Sequence, residues 1–239
     1  MKLDILAFAA HPDDAELSCS GTLLVHLNAG KKVGIVDLTR GELGTRGTPE
    51  TRAEESVNAT RIMGLHAREN LGFSDGFFKN DEKHQREIIR VIRKYQPEIV
   101  LCNAITDRHP DHGRGGVVVS EACFLSGLRM IETHDDEGEP QQAWRPKQVY
   151  HYIQDRYIQP DFVVDITPVW EQKMEAIRAF KTQFFNPDSN EPNTYISSPE
   201  FLQFLEARAR EVGHQAGFTF GEGFTKEKQI GVRNLFDLV

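Results

Sequence analysis

Two short segments carry most of the chemistry-bearing side chains of this 239-residue chain: His11-Pro12-Asp13-Asp14 and His109-Pro110-Asp111-His112. Each sets imidazole and carboxylate groups around a proline, which restricts the backbone beside them. A catalytic zinc site needs three protein ligands of N and O type and one open position for water. His11, Asp14 and His112 can supply that set. Asp13 then stays unliganded, and a free carboxylate beside a water whose pKa a cation has lowered is a general base. A protonated His109 would stabilise an oxyanion or protonate a leaving amine, and Asp111 would orient His109. Either segment alone reads equally as a polar turn or a helix cap. Both together, each after a predicted strand, point to a metal-dependent hydrolase. Two histidines and a carboxylate also suit non-haem Fe(II) oxygenases, but that chemistry leaves the spare carboxylate without a task.

The elements that must position these segments follow from hydrophobic patterning. Leu3 to Ala9 is a compact apolar run, as expected of a buried parallel strand, and Asp13 to about Asn28 reads as one helix. Further strands are predicted at 32–38, 70–73, 98–103, 149–153 and 162–165. Helices are predicted at 50–63, 81–95, 113–128, 168–180 and 199–212. Residues 39–49 read as a Gly- and Thr-rich loop, and the acidic stretch 134–142 as a mobile one. Alternation of strand and helix indicates an α/β fold, a Rossmann-like three-layer sandwich with a mostly parallel sheet. The expected organisation is a single domain over 1–239, with a core at 1–130 and a C-terminal extension at 145–239. A strand order of 3-2-1-4-5 makes the first and fourth strands neighbours. Both His-Pro-Asp segments then flank the crevice where such sheets bind ligands.

Composition narrows the function classes. The formal charge is −8, and no basic stripe is present, so nucleic acid is not an expected partner. No apolar run reaches membrane-spanning length, and the short N-terminal run ends in an imidazole and two carboxylates, unlike a signal peptide. Cys19, Cys102 and Cys123 are odd in number and lack CxxC spacing, which predicts a reducing, cytoplasmic setting. A non-enzymatic Rossmann-type binding module would need a phosphate loop, but HPDD stands where a GxGxxG turn would be.

The segments AHPDDAE (10–16), TRGELGTRG (39–47), TRAEE (51–55) and HPDH (109–112) resemble those of the PIG-L/LmbE-like N-acetylglucosaminyl deacetylases. So do SSPEFLQFLEARARE (197–211) and GEGF (221–224), which are closer to the branch that deacetylates N-acetylglucosaminyl malate in bacillithiol biosynthesis. The resemblance implies an LmbE-like fold and a Zn²⁺ hydrolase (Fe²⁺ or another divalent ion being the alternative) acting on an amino-sugar substrate, and it suggests a homo-oligomer. It implies metal ligation by His11, Asp14 and His112, the base role for Asp13, and assistance by His109 with Asp111. Arg52 matches an arginine that holds sugar hydroxyls, Asp75 an acidic residue that reads one, and Tyr195 a tyrosine that approaches the scissile carbonyl. The alternatives for these three are a solvated helix arginine, a turn former and a packing tyrosine. Arg108 adjoins the metal segment, and a malate carboxylate is the partner expected from position alone. Deacetylation of an inositol glycoside or an N-acetylglucosamine oligomer is the alternative within this class.

Overall fold

The computed structural model describes residues 1–238. The strands are β1 (Ile5–Ala9), β2 (Val33–Thr39), β3 (Ala67–Phe73), β4 (Ile99–Cys102), β5 (Gln148–Tyr152), β6 (Phe162–Asp165) and β7 (Gly221–Lys226). The helices are α1 (Asp14–Ser18), α2 (Ser20–Asn28), α3 (Pro49–Met63), α4 (Glu82–Tyr95), α5 (Pro110–Leu125), α6 (Trp170–Arg178) and α7 (Pro199–Gln215). One seven-stranded sheet has the order β3-β2-β1-β4-β5-β7-β6. Its first five strands are parallel, in the expected 3-2-1-4-5 order, and β7 runs antiparallel between β5 and β6.

Side-chain alternation along the central strands builds the three layers. On one face Ile5, Ala7, Ala9, Val33 and Ile35 pack with Leu23 and Leu24 of α2, Met63 of α3, Ile177 of α6 and Leu205 of α7. On the other, Leu6, Phe8, Val36 and Leu38 pack with Ile88, Ile89 and Ile92 of α4 and with Val118 and Val119 of α5. Both faces of β1 and β2 are therefore covered, and all of their residues are buried. That is why these strands read as unbroken apolar runs.

Three elements differ from the sequence expectation. The helix expected over 13–28 breaks at Cys19, whose backbone leaves the helical region (φ −141°, ψ 6°). The break creates a second helix N-terminus, and the buried Glu222 carboxylate caps it, accepting from Gly21 N at 2.9 Å and Thr22 N at 2.7 Å. A Cβ on Gly21 would stand 2.7 Å from the Ile166 side chain and 2.9 Å from Glu222 Oε1, so this approach requires glycine. Strand β7 was not foreseen because Gly221 and Gly223 dilute its β pattern. Gly221 is demanded by the packing of α7: a Cβ there would lie 2.8 Å from Gly213 Cα. The acidic stretch forms a closed turn with a His134–Pro140 bridge, and Asp136 pairs with Arg90 at 2.8 Å and Lys94 at 2.7 Å on α4.

Lys173 of α6 completes the Glu222 junction. Its ammonium is buried and donates to Glu222 Oε1 (2.8 Å), Glu16 O (3.0 Å) and Leu17 O (2.8 Å), which ties the end of α1 to β7. Removing one partner strands the other charge in the interior. Glu222→Ala is expected to cost about 3–5 kcal/mol in urea unfolding. A loss under about 0.5 kcal/mol would mean that the junction carries little stability.

Candidate metal and catalytic site

Because β1 and β4 are adjacent and parallel, their C-terminal ends deliver both His-Pro-Asp segments to one place. The imidazoles of His11, His109 and His112 gather with ring centroids 4.7–5.5 Å apart. Asp14, in the first turn of α1, lies between two of them. Its Oδ1 is 3.1 Å from His112 Nε2, and its Oδ2 is 3.5 Å from His11 Nδ1. Amide groups hold the same carboxylate from behind: Asn103 Nδ2 donates to Oδ2 and Gln154 Nε2 to Oδ1, each at 3.1 Å. His112 Nδ1 is 2.5 Å from Asp107 Oδ2. That contact turns Nε2 toward Asp14, the arrangement by which a carboxylate orients a metal-binding histidine.

The donor set fits a divalent cation. Two groupings bring ligand atoms within 4.8 Å of one another, His11–His109–His112 and His11–Asp75–Asp111, and both are anchored on His11. The expected set His11, Asp14 and His112 is not among these groupings of the described residues: Asp14 touches both imidazoles, but through different oxygens, Oδ2 toward His11 and Oδ1 toward His112. Electrostatics points the same way. Burial opposes a charged His11, but hydrogen bonds to Asp111, Asp14 and Asp75 outweigh it and hold its pKa well above the usual value. Burial likewise opposes a charged His112, and Asp14 and Asp107 still push it up to about 9. Burial disfavours an ionised Asp14, yet His112 and His11 hold its carboxyl well below the usual range. Buried carboxylates that draw protons onto neighbouring imidazoles form a pocket that calls for positive charge, and a cation meets that demand.

Asp13 sits beside this cluster. Its φ of 113° is in the left-handed region that favours glycine, so the backbone is strained where the two carboxylates follow one another. Burial, reinforced by Asp14, pushes its carboxyl up to about 7 despite the opposing Arg52 guanidinium. Arg52 Nη2 donates to Asp13 Oδ2 at 3.1 Å and also to Pro12 O, and the arginine is buried rather than on a solvated helix face.

The remaining expected residues fall into distinct places. The Asp75 carboxylate is buried against His11 Nε2 at 3.0 Å and accepts from Leu43 N at 2.9 Å. Burial works against its ionisation, but His11 brings it down to about 2. The Asp111 side chain does not turn to His109: it accepts from Gly76 N at 2.7 Å and Arg114 Nη1 at 2.5 Å and lies 3.4 Å from His11. His109 instead accepts on Nδ1 from the Asp111 backbone N–H at 3.2 Å, which leaves the proton of a neutral ring on Nε2. Burial, with His11 and His112, lowers the His109 pKa, so that ring is neutral rather than protonated at neutral pH. Arg108 stands at the cavity rim, 3.4 Å from Asp155 and 4.8 Å over the Tyr195 ring. Tyr195 is half exposed and leans on Phe201.

Asp107, Asn103 and Gln154 were missed by sequence reasoning. Asp107 had a signal, since it precedes His112 by five residues in the same loop. Gln154 had none, because only the pairing of β4 with β5 brings it to Asp14.

Sheet order and site geometry place the chain among α/β proteins with an LmbE-like fold. The conserved protein TT1542 from Thermus thermophilus superimposes with a TM-score of 0.84 at 32% identity, over 97% of this chain and 98% of that one. The PIG-L family, described as GlcNAc-PI de-N-acetylase, matches residues 6–123, the span that holds both His-Pro-Asp segments, and the chain belongs to this family. A diacetylchitobiose deacetylase from Thermococcus kodakarensis is 28% identical over 75% of this chain and 70% of its own. A probable N-acetyl-α-D-glucosaminyl L-malate deacetylase from Bacillus subtilis is 25% identical over 77% and 84%.

Two outcomes follow from the geometry. Asp107→Ala is expected to weaken divalent-metal affinity roughly 10- to 100-fold in a chelator competition; unchanged affinity would remove Asp107 from the site. In chelator-treated protein, Asp13 has a folded pKa of about 7, above that of the unfolded chain. The folded state then binds the extra proton between those values, so the native protein loses stability as pH rises toward 7. Asp13→Asn lacks this loss, and its advantage in urea midpoint should grow from pH 4 to pH 8. An equal advantage at both values would refute the shifted pKa.

Proposed function

We propose that the chain hydrolyses the N-acetyl amide of a glucosamine glycoside, using a divalent cation, Zn²⁺ first, held by His11, Asp14 and His112. The observation that carries this reading is the buried Asp13 carboxyl, held by the Arg52 guanidinium directly beside the His/Asp cluster. Bound there, the cation supplies a Lewis acid and lowers the pKa of water. The rest falls to protein groups. Asp13 accepts the proton of the attacking water, with Arg52 fixing the carboxylate through Oδ2. The neutral His109 donates its Nε2–H to the developing oxyanion. The protonated Asp13 then delivers its proton to the leaving nitrogen, so the products are acetate and a free amino sugar. Asp75 and Arg52 lie on the β2–β3 side of the cluster, where they hold sugar hydroxyls.

N-acetylglucosaminyl malate is the first substrate to test. Family membership and the half-exposed Arg108 at the rim support it, since a malate carboxylate can take the place of Asp155 as its partner. The experiment is acetate release from that compound, with N-acetylglucosamine alongside. Chelator should abolish release. Asp13→Ala should retain the metal but lose about 10²–10⁴ in turnover, while His11→Ala should lose the metal itself. Near-normal turnover in Asp13→Ala would overturn the base assignment.

A further inference from the structure

The cavity at the cluster is much larger than an acetyl group needs. Its volume is about 290 Å³, room for on the order of ten waters at about 30 Å³ each. It is also lopsided. Arg52, Asp75 and Leu43 line it on the β2–β3 side of β1, while His11, Asp14, His109 and His112 line its middle at the ends of β1 and β4. Beyond them, toward β5 and β7, the wall carries Gln154, which donates to Asp14, and Arg208, which donates to Asp155 O, but is otherwise largely apolar: Leu17, Ile153, Phe201, Leu205, Ala209 and Val212. The last four recur at helical spacing on α7 and present one continuous face to the cavity. Lys173 and Glu222 also line the cavity, but their charges are spent on each other, on the backbone carbonyls of α1 and on the N-terminus of α2.

We infer that this apolar lobe is an acyl-chain site and that the enzyme also cleaves sugar amides whose N-acyl group is longer than acetyl. The inference rests on the placement of the sugar at Arg52 and Asp75. With the ring on that side and the scissile carbonyl at the central cluster, the acyl substituent leads away toward Leu17, one turn beyond Asp14 on α1. The reaction is unchanged in kind. Water oxygen bonds to the acyl carbon, the C–N bond breaks, and the nitrogen leaves with a proton, giving a fatty acid and glucosamine. Each methylene that enters the lobe leaves water for an apolar wall, worth about fourfold in kcat/KM.

The test is amine release from N-acetyl-, N-butyryl-, N-hexanoyl- and N-octanoylglucosamine by the metal-loaded protein, with octyl N-acetylglucosaminide alongside. Expected is a rise in kcat/KM of about fourfold per methylene until the lobe is full, and a drop of at least tenfold in the hexanoyl-to-acetyl ratio in Ala209→Phe. Cleavage of the acetyl amide with kcat/KM falling along the series as the acyl chain lengthens would overturn the lobe assignment and leave the deacetylase reading intact. A gain from the octyl aglycone without one from the acyl series would also overturn it. If no amide is cleaved, calorimetry decides. Tighter binding of the N-hexanoyl than of the N-acetyl sugar keeps the lobe while the hydrolase reading fails, and equal or weaker binding overturns the lobe as well.

Discussion

The structure is organised around one buried carboxylate. Asp14 is withdrawn from water yet kept ionised, because two imidazoles and two side-chain amides surround its oxygens. Each of those four partners comes from a different place: His11 from the end of β1, Asn103 and His112 from the loop and helix after β4, Gln154 from the end of β5. An ionised carboxylate at that depth is tolerable only when all of them arrive together. The parallel sheet brings them together, since parallel strands present all their C-terminal ends along one edge.

Charge compensation continues behind the site. Glu16, one turn from Asp13, is fully buried and pairs with Arg68 of β3 at 2.5 Å. Arg68 in turn grips both oxygens of Asp37 on β2 at 2.9 and 3.0 Å. The far end of α1 is held by the Lys173–Glu222 pair. A helix of five residues cannot hold its own shape. Here α1 is held at its middle by the buried Glu16–Arg68 pair and toward its C-terminal end by Lys173, and Asp13 precedes it in a backbone conformation unfavourable for any residue but glycine. Strain and buried charge at the site are thus balanced by contacts reaching β2, β3, α6 and β7.

The C-terminal portion contributes more than an added layer. β7 inserts between β5 and β6, Glu222 caps α2, and α7 walls the cavity. The β2–α3 loop is tied to the same portion, where Gln183 donates to Arg46 O and Thr182 to Glu55. The polar side of the site and its apolar side are therefore built from chain segments far apart in sequence.

The sequence by itself determined the strand–helix alternation, the order of the first five strands and the residues that crowd the crevice, because these depend on local periodicity and on residue types close together in the chain. The tertiary structure decided which partner each polar group takes. The Asp111 carboxylate turns to Arg114, Gly76 and His11 rather than to His109, and Gln154 reaches Asp14 across β4. It also decided the break at Cys19 and the strand hidden by Gly221 and Gly223, both set by close approach to α7, Ile166 and Glu222. Local pattern carries hydrophobic burial, which is summed along an element. Hydrogen bonds and buried charges are settled by contacts between elements, at distances no one-dimensional pattern records.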